Sequence, residues 1–136
     1  IKNKGSETYR IGQQASVADA IQLLTDKNIG ALLVDDADGK LAGIISERDI
    51  VRGMKPNGAD LNSTPVSDLM TREMIYCSPA DTVHKVMGIM ASKRFRHLPI
   101  FDGDELCGVI SIGDLVKFRI LEVEAEAEAL RQYIAT

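Results

Sequence analysis

Two seven-residue stretches carry most of the chemistry this sequence can offer. Gly43-Ile44-Ile45-Ser46-Glu47-Arg48-Asp49 and Gly108-Val109-Ile110-Ser111-Ile112-Gly113-Asp114 share the pattern Gly-apolar-apolar-Ser-x-x-Asp. Each reads as the end of an apolar strand running into the first turn of a helix. At such a junction free backbone N–H groups and the positive end of the helix dipole can receive a phosphate, and the Ser hydroxyl can donate to it. One turn further on, the Asp carboxylate can accept both hydroxyls of a ribose, as acidic residues do in other nucleotide folds. The same spacing has a second reading: Ser at an N-cap with an acid at N3 is a capping arrangement in many helices that bind nothing. Ser16 and Asp19 fit that reading alone.

Cations gather near the second stretch. Lys93, Arg94, Arg96 and His97 crowd one helix-to-strand turn, and Arg48 and Arg52 flank the first stretch. Guanidinium forks match phosphate oxygens. Lys93 and Arg94 also suit a helix C-terminus, whose dipole favours cations, whereas Arg96 and His97 enter a strand. The first half has Gly30 and Ala31 at those places, so two sites built on these stretches are not equivalent. Catalysis finds little support. The sequence holds no Cys or Ser nucleophile motif with a nearby His, no His pair with ligand spacing, no phosphate loop ending in Lys and no Gly-x-Gly-x-x-Gly. Besides His97 there is only His84, expected on an exposed helix face.

The elements that position these residues come from a duplication. Val17, Lys27, Leu32 and Asp36 match Val83, Lys93, Leu98 and Asp102 at an offset of 66; after a one-residue gap, Leu41, Gly43, Ile45, Ser46, Asp49 and Val51 match Leu106, Gly108, Ile110, Ser111, Asp114 and Val116 at 65. In the first copy a helix capped by Ser16 runs to near Asn28 and Gly30 breaks it. Ala31–Val34 and Leu41–Ile45 form a hairpin around Asp36-Ala37-Asp38-Gly39, and Ser46–Met54 is a second helix. The second copy reads alike, with a helix over 81–93, strands over 97–101 and 106–110, and a helix from Gly113. A short leading strand is expected before each, at Tyr9-Arg10-Ile11 and at Met74-Ile75-Tyr76. Lys55 to Pro65, rich in turn formers, reads as the linker. The expected units are therefore 1–60, 61–121 and a C-terminal helical extension over 122–136.

That extension has a pattern of its own. Val116, Ile120, Val123, Ala127, Leu130 and Ile134 step by four and three, an a/d-like seam that needs a partner surface, either its own domain or a twin in a homodimer. Glu122, Glu124, Glu126 and Glu128 read as a solvated face, since alternate helical positions do not converge on a metal.

Composition sets the outer limits. With 45% hydrophobic and 26% charged residues in 136, no Trp and few aromatics, the core must be aliphatic, which suits strands covered by helices. A net charge of −4 provides no field for a nucleic acid or an anionic bilayer. No apolar run is long enough to span a membrane, and no basic-then-apolar leader opens the sequence. Ile1 in place of an initiator Met points to a trimmed start. Cys77 and Cys107, without metal or disulfide spacing, are expected to be reduced core residues in a cytoplasmic protein.

Together with Arg96-His97-Leu98-Pro99-Ile100 and Val66-Ser67-Asp68-Leu69-Met70-Thr71, the two Ser-x-x-Asp stretches resemble the signature of cystathionine-β-synthase (CBS) domain pairs, over about residues 7 to 121. The Ala-Leu-Arg-Gln-Tyr-Ile ending is similar to that of small bacterial proteins made only of such a pair. The resemblance implies an α/β (α+β) fold of tandem βαββα repeats packed by a pseudo-twofold, with two small sheets and outer helices. It implies a non-catalytic, homodimeric sensor binding AMP or NAD in the cleft between repeats, with ADP, ATP or S-adenosylmethionine also compatible and the regulated protein unspecified. Ser46 and Ser111 would meet phosphate, Asp49 and Asp114 ribose, with Arg48, Arg94, Arg96 and His97 as cationic neighbours. Tyr9, Arg10, Met74 and Ile75 of the leading strands would grip the base. A dimeric interaction scaffold in which Ser-x-x-Asp only caps helices is the alternative.

Overall fold

A computed structural model describes residues 8–54 and 60–135. The chain divides after Met74 into two compact units. In the first, strand β1 (Arg10–Gly12) leads through helix α1 (Val17–Lys27) to β2 (Ala31–Asp35), which turns back into β3 (Leu41–Ser46) and helix α2 (Glu47–Met54). β1 pairs with β2 in parallel and β2 with β3 antiparallel, giving the sheet order β1-β2-β3. A crossover helix between parallel strands and a tight turn between antiparallel ones are what these pairings require. Val17, Ala20 and Leu24 on one face of α1 meet Leu32, Val34 and Ile45 from the sheet, and Ile50 of α2 joins them.

Helix α1 starts as its sequence dictates: the Ser16 hydroxyl accepts the Asp19 N–H at 3.0 Å. It stops at Asn28, which adopts the left-handed conformation (φ 52°) while its N–H bonds back to Leu24 and Thr25. The break is thus a left-handed C-cap two residues before Gly30, and Asn tolerates that conformation better than most residues. The second copy repeats the device with Arg94 at φ 61°.

The stretch read as a linker is partly structural. Lys55 to Asn57 and the two residues after them lie outside the described residues. From Asp60 on, the chain turns and packs on the first unit: the Val17 and Ala18 N–H groups, orphans at the start of α1, donate to Thr64 and Leu61 carbonyls at 2.8 and 3.0 Å. A short helix α3 (Val66–Leu69) follows, buries Val66, and ends where Thr71 exchanges both backbone hydrogen bonds with Ile44 of β3. Residues 61 to 74, expected in the second unit, cluster with the first.

The second unit holds helix α4 (Val83–Lys93), strands β4 (His97–Asp102) and β5 (Glu105–Ser111), and helix α5 (Ile112–Ala135). Its hairpin repeats the first one, including a register irregularity at Ile100/Phe101 that matches Val34/Asp35. The one-residue gap between the copies falls in the turns, where Gly39 (φ 80°) and Gly103 (φ 62°) supply the positive φ. Helix α4 begins at Val83, two residues later than expected, because Thr82 is the N-cap and accepts the Lys85 N–H. Asp81 instead accepts the Ser78 N–H and the Lys85 ammonium, which together hold its carboxyl below the usual carboxylate range.

One expected strand is missing. Met74-Ile75-Tyr76 is not a strand; only Cys77 makes an isolated parallel bridge to Ile100. In the first copy the Leu33 N–H donates to Tyr9 at 3.0 Å. The matching residue is Pro99, which has no N–H, so the bond that would anchor the leading strand at Ile75 cannot form. Cys77 donates to Pro99 O and accepts from Phe101 N, and the pairing ends there. Among the described residues the second sheet has two strands, β4 and β5. Its core gathers Cys77, Val83, Val86, Met90, Leu98, Ile100, Ile110 and Leu115. Both cysteines are free thiols, and burial, followed by the charge of Asp81, pushes the Cys77 thiol up to about 11.

Candidate functional site

Each hairpin delivers its Ser-x-x-Asp element to the start of a helix. Ser46 closes β3 opposite Ala31, and Ser111 closes β5 opposite His97. The next N–H groups are held by the strand partner's approach: Glu47 donates to the Gly30 carbonyl at 3.0 Å and Ile112 to the Arg96 carbonyl at 2.9 Å. The second corner therefore gathers Arg96, His97, Ser111 and Asp114 by backbone connectivity alone. Arg96 is exposed and His97 half-buried.

Both elements form capping boxes. Asp49 Oδ2 accepts the Ser46 N–H at 2.9 Å while Ser46 Oγ accepts the Asp49 N–H at 3.3 Å. Asp114 Oδ2 accepts the Ser111 N–H at 2.9 Å while Ser111 Oγ accepts the Asp114 N–H at 3.1 Å. The corners then differ. The Ser46 hydroxyl also meets Asp49 Oδ2 at 3.0 Å, and Thr71 Oγ1 donates to Asp49 Oδ1 at 3.0 Å. Asp49 thus accepts three bonds, out of roughly four that a carboxylate can take. The Ser111 hydroxyl has no acceptor among the described residues, so its proton is available to an incoming oxygen.

Thr71 was legible only as part of a signature stretch. Its role depends on a return of the chain to β3, 22 residues after Asp49. Gly43 makes that return possible, since a Cβ there would lie 2.6 Å from the Thr71 carbonyl oxygen.

The remaining candidates are dispersed. Arg48, half-buried, lies on α2 beside Glu47, Val51 and Arg52, which line a shallow surface depression with it. Arg94 is the left-handed C-cap of α4 and exposed, so its position follows from ending that helix. Arg10 is committed to Asp35 across the β1–β2 pair: its Nε lies 3.0 and 2.9 Å from the two carboxylate oxygens, and Nη2 meets Oδ1 as well. That hydrogen bonding raises the guanidinium pKa further, against the lowering effect of burial. Tyr9 packs against the first core with the Lys27 ammonium 5.4 Å from its ring centroid. Ile75 packs against the second core, and Met74 is half-buried at the end of the first unit. His84 is exposed on α4, as expected. Among the described residues no cluster of His, Cys, Asp or Glu could hold a metal ion, and no helix is long and apolar enough to cross a membrane.

Two sequence-related α+β units, each feeding an antiparallel hairpin into a Ser-capped helix, define a duplicated small-domain module. The chain belongs to the CBS domain family, which it matches over residues 9–55 and 66–120. It is similar to the mitochondrial CBS domain-containing protein CBSX3 of Arabidopsis thaliana, 37% identical over 123 residues, which are 88% of this chain and 60% of that protein. This chain thus spans little more than half the length of that relative. A solved structure of a protein with CBS domains from Burkholderia ambifaria is 41% identical, with a TM-score of 0.83 over 88% of this chain and 90% of that one. The CBS domain pair of protein MJ0100, solved in complex with 5′-methylthioadenosine and S-adenosyl-L-methionine, shares the fold at 23% identity and a TM-score of 0.77, over 90% of this chain and 96% of that one. The chain is accordingly a pair of CBS domains.

Proposed function

We propose that this chain is a non-catalytic adenine-nucleotide sensor, with AMP or NAD as its ligands, acting as a homodimer in the cytoplasm. The observation that carries the reading is the second corner. There a strand end and a helix start bring Ser111, Asp114, Arg96 and His97 to one place, with the serine hydroxyl proton uncommitted among the described residues. A phosphate at this helix start would meet the dipole and the serine, and Asp114 would turn to the ribose. Adenosine-type ligands in the MJ0100 pair support the class of ligand, and ADP, ATP and S-adenosylmethionine belong to the same class. At the first corner Asp49 would have to share its carboxylate with Thr71 and Ser46.

Those bonds around Asp49 favour a second reading, a dimeric interaction scaffold whose Ser-x-x-Asp elements only cap helices. Calorimetry with AMP, ADP, ATP and NAD separates the two. The sensor expects heat from at least one nucleotide, lost in Asp114→Ala with circular dichroism unchanged. No heat from any of the four leaves the scaffold.

A further inference from the structure

We infer that α5 pairs with α5 of a second copy as a parallel, in-register two-stranded coiled coil, an inference that rests on the homodimer proposed above and specifies its contact. The helix carries two apolar stripes. Leu115 and Phe118 face the core of their own unit. Val116, Ile120, Val123, Ala127, Leu130 and Ile134 centre about 130° round the helix, at roughly 100° per residue. Val116, Ile120 and Val123 are 47, 51 and 47% exposed, and Leu130 and Ile134 are 60 and 74% exposed. From Glu122 to Ala135 no residue is buried. A helical segment of about fourteen residues with no buried side chain is marginal in water, so a partner along its apolar stripe would stabilise it.

Charge selects the partner. With Ile120, Ala127 and Ile134 at a and Val116, Val123 and Leu130 at d, the flanking g positions hold Arg119 and Glu126 and the e positions Lys117, Glu124 and Arg131. Val116, Ile120 and Val123 line an open groove of about 450 Å³ together with Met87 of α4, Arg119 and Glu124. In a parallel pair each g residue meets the e residue five positions on in the other helix. Arg119 then faces Glu124, and Glu126 faces Arg131, each pair occurring twice by symmetry. An antiparallel pair that keeps the whole seam sets Glu124 against Glu124, Glu126 against Glu126 and Lys117 against Arg131, all repulsive. The stripe is therefore self-complementary in one polarity only. Within the chain Arg119 meets Glu122 and Arg131 meets Glu128, but these pairs are well exposed and exchange at little cost.

Cysteine cross-linking in a Cys107→Ser background tests the arrangement. Cys77 is buried with its thiol pushed up to about 11, so it stays silent. Leu130→Cys should oxidise to a homodisulfide dimer in most of the protein. An equimolar mixture of Ile120→Cys and Leu130→Cys chains should give homodisulfides only, read by mass. Glu124→Arg should raise the dimer Kd about 5-fold or more, and Arg119→Glu with Glu124→Arg should bring it back to within about 2-fold. A monomer in analytical ultracentrifugation at on the order of 100 µM removes the homodimer reading itself. A dimer that gives the 120–130 heterodisulfide overturns the polarity, and a dimer that cross-links at neither position overturns the pairing through α5.

Discussion

At the scale of single residues, one arrangement could serve two purposes. A Ser-x-x-Asp capping box satisfies helix-start N–H groups that would otherwise be orphaned, and it leaves hydroxyl and carboxylate oxygens at the place where a phosphate and a ribose would arrive. Ser111→Ala should therefore cost about 1 kcal/mol in urea unfolding through the lost cap, as well as weakening nucleotide binding. Thr71→Val should affect only the first corner, leaving affinity at the second unchanged. The Cys77 thiol gives a pH signature with a definite sign. Its pKa is raised from 9.0 to about 11 in the folded chain. The folded thiol holds its proton where the unfolded one has lost it, so this contribution to stability is complete below about pH 9 and is lost as pH rises towards 11. Iodoacetamide at pH 8 should label Cys107 well before Cys77, and equal rates by mass spectrometry would contradict the burial of Cys77.

At the scale of elements, the duplication is followed closely until one residue interrupts it. Caps, hairpins, the register irregularity and both left-handed helix ends recur. Pro99 interrupts the likeness, because it lacks the N–H that in the first copy bonds Leu33 to Tyr9 just before β1. The first unit is completed instead by the return of Thr71 to β3, which Gly43 admits. Gly43→Ala would set a Cβ against a backbone oxygen, not against a yielding side chain, and should cost about 1–3 kcal/mol. Gly12→Ala, with nothing within 4 Å of the added carbon, is the matched control. Equal urea midpoints for the two variants would mean that the Ile44–Thr71 bridge is dispensable.

At the scale of the whole molecule, α5 links stability to concentration. If its apolar stripe is covered by a second copy, the melting temperature should rise with protein concentration, because association draws on the folded state. A chain ending after Leu121 should melt at a temperature independent of concentration, and calorimetry across a hundredfold dilution series checks both. Much of this protein was legible in one dimension. The repeat, the helix-start serines, the hairpin turns and the a/d spacing of the last helix all follow from periodicity and from residue types with narrow conformational preferences. The commitments of individual side chains were not. Arg10 is consumed by Asp35 across a parallel strand pair, Arg94 ends a helix, and Asp49 is shared with a threonine 22 residues away. Each depends on which distant backbone segments lie side by side, and local pattern cannot encode this because the partner is chosen by packing and not by neighbours in sequence.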